Sequence, residues 1–200
     1  MTSTKSLTSI AEFYKTDKYE HGYTKVYEKY FDNFRDEKLK ILEIGIADGK
    51  SLLTWSDYFK NSTIVGVDIH KIDLKEKNLD RENIKVHQGS QSDDKFINEI
   101  VKEYGNFDII IDDGRHWPQY NRSFLENSFK YLKEGGIFII EDVSLITSHP
   151  QGNFVEMHNE NLKYAKEIGR FADILRMKSD FGPKDSTGRD TTNNLMVILK

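Results

Sequence analysis

The chain has 200 residues, 37% of them hydrophobic and 31% charged, with no cysteine and a formal net charge of −4. That length suits one domain with a sizeable core, and the composition is that of a soluble globular protein, neither disordered nor membrane-spanning. The acidic balance disfavours nucleic acid as a substrate, and the lack of cysteine removes disulfides and thiolate zinc sites, making a reducing, cytoplasmic setting the default.

Met1–Ser6 has no apolar core of the secretory kind. From about Ser6 to Phe34 the chain reads as helical and is rich in Tyr and Phe, which predicts a cap over one side of a sheet. The expected division is a cap over residues 1–38 and a core over 39–200, within a single domain. Beyond the cap, apolar strand-like runs alternate with amphipathic stretches, the pattern of an α/β domain with a mostly parallel sheet. Strands are predicted at Lys40–Ile44, Thr63–Asp68, Ile84–His87, Phe107–Ile111, Gly136–Glu141 and Asn194–Leu199. Helices are predicted at Ser51–Phe59, Asp93–Tyr104 and Asn121–Leu132, with Gly135-Gly136 as a turn. The longest apolar runs, such as Ile137–Ile140, fall far short of the roughly 20 residues that span a bilayer. The Lys71–Lys77 charge run reads as a solvated face. Ser144–Gly152 and Ser179–Asn193 read as polar loops on the substrate side, with Asn193 and Asn194 as turn residues.

The segment Leu42-Glu43-Ile44-Gly45-Ile46-Ala47-Asp48-Gly49 carries the strongest functional signal. It is a strand, a glycine turn and a helix start, in which glycine lets the backbone approach a ligand. Its spacing is not the G-x-G-x-x-G of dinucleotide enzymes. Glu43, before the first glycine, suits an ammonium group and not a phosphate, which favours the amino-acid end of S-adenosylmethionine over NAD. About 20 residues on, Asp68 ends the next strand, where a carboxylate accepts hydrogen bonds from ribose hydroxyls. Ser90 and Gln91 lie where the chain passes an adenine ring, with a polar turn capped by Ser92 or Asp93 as the alternative.

Four carboxylates converge at the ends of two neighbouring strands: Asp112 and Asp113, then Glu141 and Asp142. Such a cluster requires protonation or a cation, and a hard ion such as Mg²⁺ suits oxygen ligands. His116, three residues after Asp113, is placed to act as general base on a hydroxyl, the alternative being an ordinary loop histidine. Trp117 and Tyr120 either stack on a ligand ring or pack. His21 and Tyr23 either close over the cofactor or pack at a helix start. His149 and His158, beyond Asp142, border the acceptor site or, as the favoured reading, lie exposed to solvent.

Taken together, Leu42–Gly49 with Asp68, Asp112-Asp113-Gly114-Arg115-His116, and Gly135–Asp142 resemble the class I methyltransferase fold, a seven-stranded, mostly parallel Rossmann-like sheet with helices on both faces and here an N-terminal helical cap. Within it the chain is similar to metal-dependent sugar O-methyltransferases of the macrolide deoxysugar type, a similarity shared by Lys15–Lys18 and His21–Tyr23 and covering about Thr16 to Val143. Arg115 departs from that group, which carries a small residue there. The resemblance implies metal ligation by Asp113, Glu141 and Asp142, catalysis by His116 with Asp113, and cofactor contacts from Glu43, Gly45, Gly49, Asp68, Ser90, Gln91, Asp112 and Tyr23. Asp112 stands as support beside the metal or cofactor. The implied acceptor is a sugar hydroxyl, in a deoxysugar or a rhamnose-containing glycan of bacterial or viral kind. The rival readings are a catechol-type O-methyltransferase, an NAD-dependent oxidoreductase and a non-catalytic cofactor-binding module.

Overall fold

A computed structural model describes residues 5–178 and 183–200. Met1–Thr4 and the first four residues of the expected Ser179–Asn193 loop therefore lie outside the described residues. Seven strands form one sheet: β1 (Lys40–Ile44), β2 (Thr63–Asp68), β3 (Ile84–Gln88), β4 (Phe107–Asp112), β5 (Leu132–Ile140), β6 (Phe171–Leu175) and β7 (Leu195–Leu199). Their order is β3-β2-β1-β4-β5-β7-β6. β1 to β5 run parallel, and β7 is antiparallel to both neighbours. Chain direction across the sheet reverses between β1 and β4, so their carboxyl ends flank the crevice where ligands of open α/β sheets bind.

The apolar runs of the central strands are continuous because both faces are covered. Ile41, Ile109, Ile111, Ile137 and Ile139 face one layer, formed by α1 (Leu7–Tyr14), α3 (Tyr23–Phe31) and α4 (Lys50–Tyr58). Leu42, Ile44, Ile110, Phe138 and Ile140 face the other, formed by α5 (Asp94–Tyr104), α6 (Pro118–Ser128) and α7 (Phe154–Ile168). Each pair of neighbouring residues points to opposite faces, as strand geometry requires.

The cap divides where the backbone turns left-handed. Lys15, at φ 55°, ends α1, and Gly22, at φ 77°, precedes α3, leaving the short α2 (Asp17–Glu20) between them. Tyr27 and Phe31 of α3 pack on Trp55 and Phe59, so the cap is part of the main core.

Four expectations are corrected. The first is the start of β5: it begins at Leu132 and runs through Gly135 (φ 78°) and Gly136, the pairing with β4 shifting register between Phe107 and Ile109. Second, Glu141 falls just beyond the strand. Third, α7 and β6 were not foreseen; β6 is an edge strand with alternately exposed residues. Fourth, His158 is fully buried in α7, and His149 is half-buried with its ring 4.4 Å from that of Phe154.

Candidate active site

The turn after β1 is built by close backbone approach. Gly45, at φ 83°, lies so near the chain after β4 that an added Cβ would sit 2.0 Å from the carbonyl oxygen of Asp113. Asp68, at the end of β2, ties the turn down: Oδ2 accepts from the amides of Ile46 and Ala47, both at 3.0 Å, and Oδ1 from that of His70 at 2.9 Å. A carboxylate has about four acceptor positions, two on each oxygen, so Oδ1 retains one for a ligand while both on Oδ2 are filled.

A cavity of about 490 Å³ opens above β1 and β4, within the range of small-molecule sites. Gly45, Asp68, Ser90 and Gln91 line one part of it, and Asp113, His116, Tyr120 and Asp142 another. A second cavity of about 450 Å³ adjoins it, sharing Asp17, Gly45, Ala47 and Asp113 with the first. Arg115 stands on the main cavity wall with its guanidinium over the rings of Trp117 and Tyr120, at 4.5 and 4.8 Å.

The acids after β4 and β5 face an unusual neighbour. Lys18, 2% exposed, places Nζ 2.6 Å from Asp113 Oδ2, 2.8 Å from Glu141 Oε1 and 3.1 Å from Glu43 Oε1. Tyr27 donates to Glu141 Oε1 at 2.5 Å, and Tyr23 donates to Asp142 Oδ1 at 2.6 Å. Burial opposes the Lys18 charge, but Asp113, Glu141 and Glu43 outweigh it and hold the ammonium well above its usual range. Burial pushes Glu141 up to about 8 against the opposing pull of Lys18. Burial and then Glu141 push Asp113 well above the ordinary carboxylate range.

His116 and Asp142 both adopt left-handed backbone, at φ 59° and 51°. The imidazole lies between the two outer acids, with Nδ1 3.9 Å from Asp113 Oδ1 and Nε2 3.8 Å from Asp142 Oδ2. Its Nδ1 is enclosed and has no hydrogen-bond partner among the described residues.

Of the residues expected to touch a cofactor, Gly45, Asp68, Ser90 and Gln91 line the main cavity, while Glu43, Gly49, Asp112 and Tyr23 do not. Glu43 is fully buried and engaged by Lys18 and by Trp55 Nε1 at 2.8 Å. Gly49 faces Leu79, whose side chain leaves no room for a Cβ. Asp112, fully buried, accepts from Asn121 at 2.9 Å and from Gln91 at 3.2 Å. It supports the wall through Gln91, and burial raises its pKa. Tyr23 is spent on Asp142. Of the three acids expected to hold a metal, Asp113 and Asp142 reach the cavity and Glu141 is turned inward to Lys18 and Tyr27. Among the described residues, two groupings are close enough for one ion: Asp113, His116 and Asp142 on the cavity side, and the three carboxylates Glu43, Asp113 and Glu141 inside.

Lys18, Tyr27 and Asn121 escaped the sequence reading. The Lys15–Lys18 segment belongs to the resemblance, but no local pattern shows that a lysine there is buried against an acid 95 residues away.

A family model described as "Methyltransferase domain" matches residues 42–143, just over half of the chain. The chain belongs to this methyltransferase domain family. Among its relatives, mycinamicin VI 2''-O-methyltransferase of Micromonospora griseorubida is 32% identical over 146 residues, 68% of this chain and 36% of the relative. The 8-demethyl-8-(2-methoxy-alpha-L-rhamnosyl)-tetracenomycin-C 3'-O-methyltransferase of Streptomyces olivaceus is 35% identical over 130 residues, 62% of this chain and 32% of the relative. This methyltransferase domain thus spans about a third of the length of these curated relatives. Its fold matches that of the MycE methyltransferase of the mycinamycin biosynthetic pathway, solved in complex with Mg, SAH and mycinamycin VI. The TM-score is 0.75 at 25% identity, over 98% of this chain and 55% of the other.

Proposed function

We propose that this methyltransferase domain transfers a methyl group from S-adenosylmethionine to a hydroxyl of a sugar, free or in a glycan, with help from a divalent ion. The observation that carries the reading is one cavity with two chemically different walls: Gly45, Asp68, Ser90 and Gln91 on one side, Asp113, His116 and Asp142 on the other. Both relatives named above are O-methyltransferases by their names, and the second acts by its name on a rhamnosyl-bearing compound, which supports the acceptor class.

The residues present fit a hard cation. Asp113 Oδ1 and Asp142 Oδ2 have no protein hydrogen bond among those described, and the His116 ring lies between them, with its enclosed Nδ1 toward Asp113 and Nε2 toward Asp142. Asp113 and Asp142 would hold the ion on the cavity side, with Glu141 behind them. Bound there, Mg²⁺ would lower the pKa of a sugar hydroxyl. S-adenosylmethionine would supply a methyl group already activated as a sulfonium.

The chain's own residues then do three things. Asp68 presents the remaining acceptor position of Oδ1 to a ribose while its other hydrogen bonds keep the glycine turn closed. His116 receives the hydroxyl proton on Nε2, its Nδ1 being enclosed. The Gly45 and Asp113 backbones, in contact, fix the two walls relative to each other, so that nucleophile and methyl donor meet in line. The reading includes a cytoplasmic setting, supported by the cysteine-free composition. Among the described residues, no helix is long and apolar enough to cross a membrane.

The test is S-adenosylhomocysteine formation with rhamnose-containing glycans, deoxysugar glycosides and a catechol as acceptors, in Mg²⁺ and in EDTA. Turnover confined to the sugar acceptors and lost in EDTA is expected. Turnover on the catechol alone would displace the sugar reading.

A further inference from the structure

One ammonium group serves three buried or half-buried carboxylates. Lys18 Nζ lies within 3.1 Å of Glu43, Asp113 and Glu141, and water reaches neither Lys18 nor Glu43 to any extent. Asp113 is divided by this arrangement: Oδ2 points inward to Lys18, while Oδ1 faces His116 on the cavity side. The other two acids expected at the metal have cap partners of their own, Tyr27 for Glu141 and Tyr23 for Asp142. Every acid of the set is therefore held by a side chain from the segment Lys18–Tyr27. His21 Nδ1 also lies 3.6 Å from Asp142 Oδ1, but Lys18 is the holder in contact with the inner acids that carries a permanent charge.

Like charges at this spacing repel strongly in a poorly hydrated interior. Without a cation the inner carboxylates would have to take up protons, separate or unfold the cap. With Lys18 in place they stay assembled, and their outer oxygens remain aimed at the cavity.

We propose that Lys18 is a positioning residue, a built-in counter-ion that keeps the acidic cluster assembled and aimed in the metal-free protein, so that the divalent site is preformed and folding does not need the metal. The inference rests on the metal-assisted reading above. A lysine present only for packing would behave differently, because its loss would be indifferent to added metal. A divalent ion, by contrast, replaces a missing counter-charge.

The experiment compares thermal unfolding of the wild type, Lys18→Met and the double variant Lys18→Met/Glu43→Gln, each in EDTA and in excess MgCl₂, alongside calorimetric titration of the wild type with Mn²⁺ alone. The double variant removes one charge of each sign and leaves Glu43's bond from Trp55 available to the amide oxygen. The wild type should unfold cooperatively in EDTA and gain in MgCl₂ only the modest increment that binding to a preformed site gives, smaller than the gain of Lys18→Met. Lys18→Met should lose stability in EDTA and regain most of it in MgCl₂, and the double variant should recover in EDTA. A Lys18→Met loss equal in both buffers, or no loss, would overturn the proposal. If Lys18→Met folds in neither buffer, the double variant decides: a cooperative transition in EDTA supports the counter-ion role, and its absence refutes it. Failure of the wild type to bind Mn²⁺ would sink the metal-assisted reading, while the EDTA comparison of single and double variants still decides the role of Lys18.

Discussion

His116 and Asp142 sit in the left-handed region that residues with a Cβ seldom occupy, at a cost on the order of 1 kcal/mol each. Strain of this kind persists where surrounding contacts over-determine it, and both residues face the same cavity. Replacing His116 by Ala is expected to lower kcat/KM by about 10²- to 10⁴-fold, the usual worth of a general base, with S-adenosylhomocysteine affinity by calorimetry unchanged. Full turnover in that variant would remove the proton-transfer role. A second histidine is informative for the opposite reason. His158 is fully buried, neither ring nitrogen has a hydrogen-bond partner among the described residues, and burial lowers its pKa to about 4. Since the unfolded chain binds the proton at about 6.5, protonation favours unfolding. The contribution is intact above pH 6.5 and is lost as pH falls toward 4, by about 3 kcal/mol. Urea unfolding of His158→Leu should therefore show a flatter acid limb than the wild type between pH 7 and 4.5, and equal slopes would contradict this.

At the scale of elements, the site depends on two places where chain segments touch through backbone. In the turn after β1, Gly45→Ala would combine an unfavourable φ with a Cβ against the backbone of Asp113, which no side-chain motion relieves. Loss of S-adenosylhomocysteine binding together with a lower melting temperature is expected; a variant that binds normally would show that the β1 and β4 turns tolerate separation. On the other side of the crevice, Asn194, read from sequence as a turn residue, is fully buried. Its Nδ2 donates to the carbonyls of Val143 and Asp190, and its Oδ1 accepts from the amide of Met177. It therefore joins the chain leaving Asp142 to the approach to β7. Asn194→Ala removes the side-chain partner of the Met177 amide and the Val143 carbonyl and should cost about 2 to 3 kcal/mol in urea unfolding. The cap helices belong to this scale too, because the breaks at Lys15 and Gly22 are what turn Lys18 and Tyr23 toward the acids.

For the molecule as a whole, a cofactor that binds only the folded state stabilises it by mass action. S-adenosylhomocysteine at about 100 times its Kd should add roughly 2.7 kcal/mol, or about 5 to 10 °C in melting temperature for a domain of this size. NAD raising the melting temperature where S-adenosylhomocysteine does not would reverse the choice of cofactor. β1, β2, β4, β5 and β7 were legible in the sequence because strands covered on both faces are continuous apolar runs whatever surrounds them. The order of Gly45, Asp68, Asp113, His116 and Asp142 was legible for a related reason, since strand ends in a parallel sheet fall along one edge. β6 and α7 were hidden. An edge strand such as β6 has one side open to water, and α7 carries mostly polar residues around a narrow buried stripe of Phe154, His158, Asn161 and Ala165. What only the tertiary structure decided is the partner of each polar group. Glu43, Asp112, Glu141 and Tyr23 are the residue types a ligand site needs, yet burial commits them to Trp55, Asn121, Lys18, Tyr27 and Asp142. A sequence pattern records which residues lie at a strand end, but whether a carboxylate there faces a ligand or a buried lysine depends on a segment some 95 positions away, brought there only by packing.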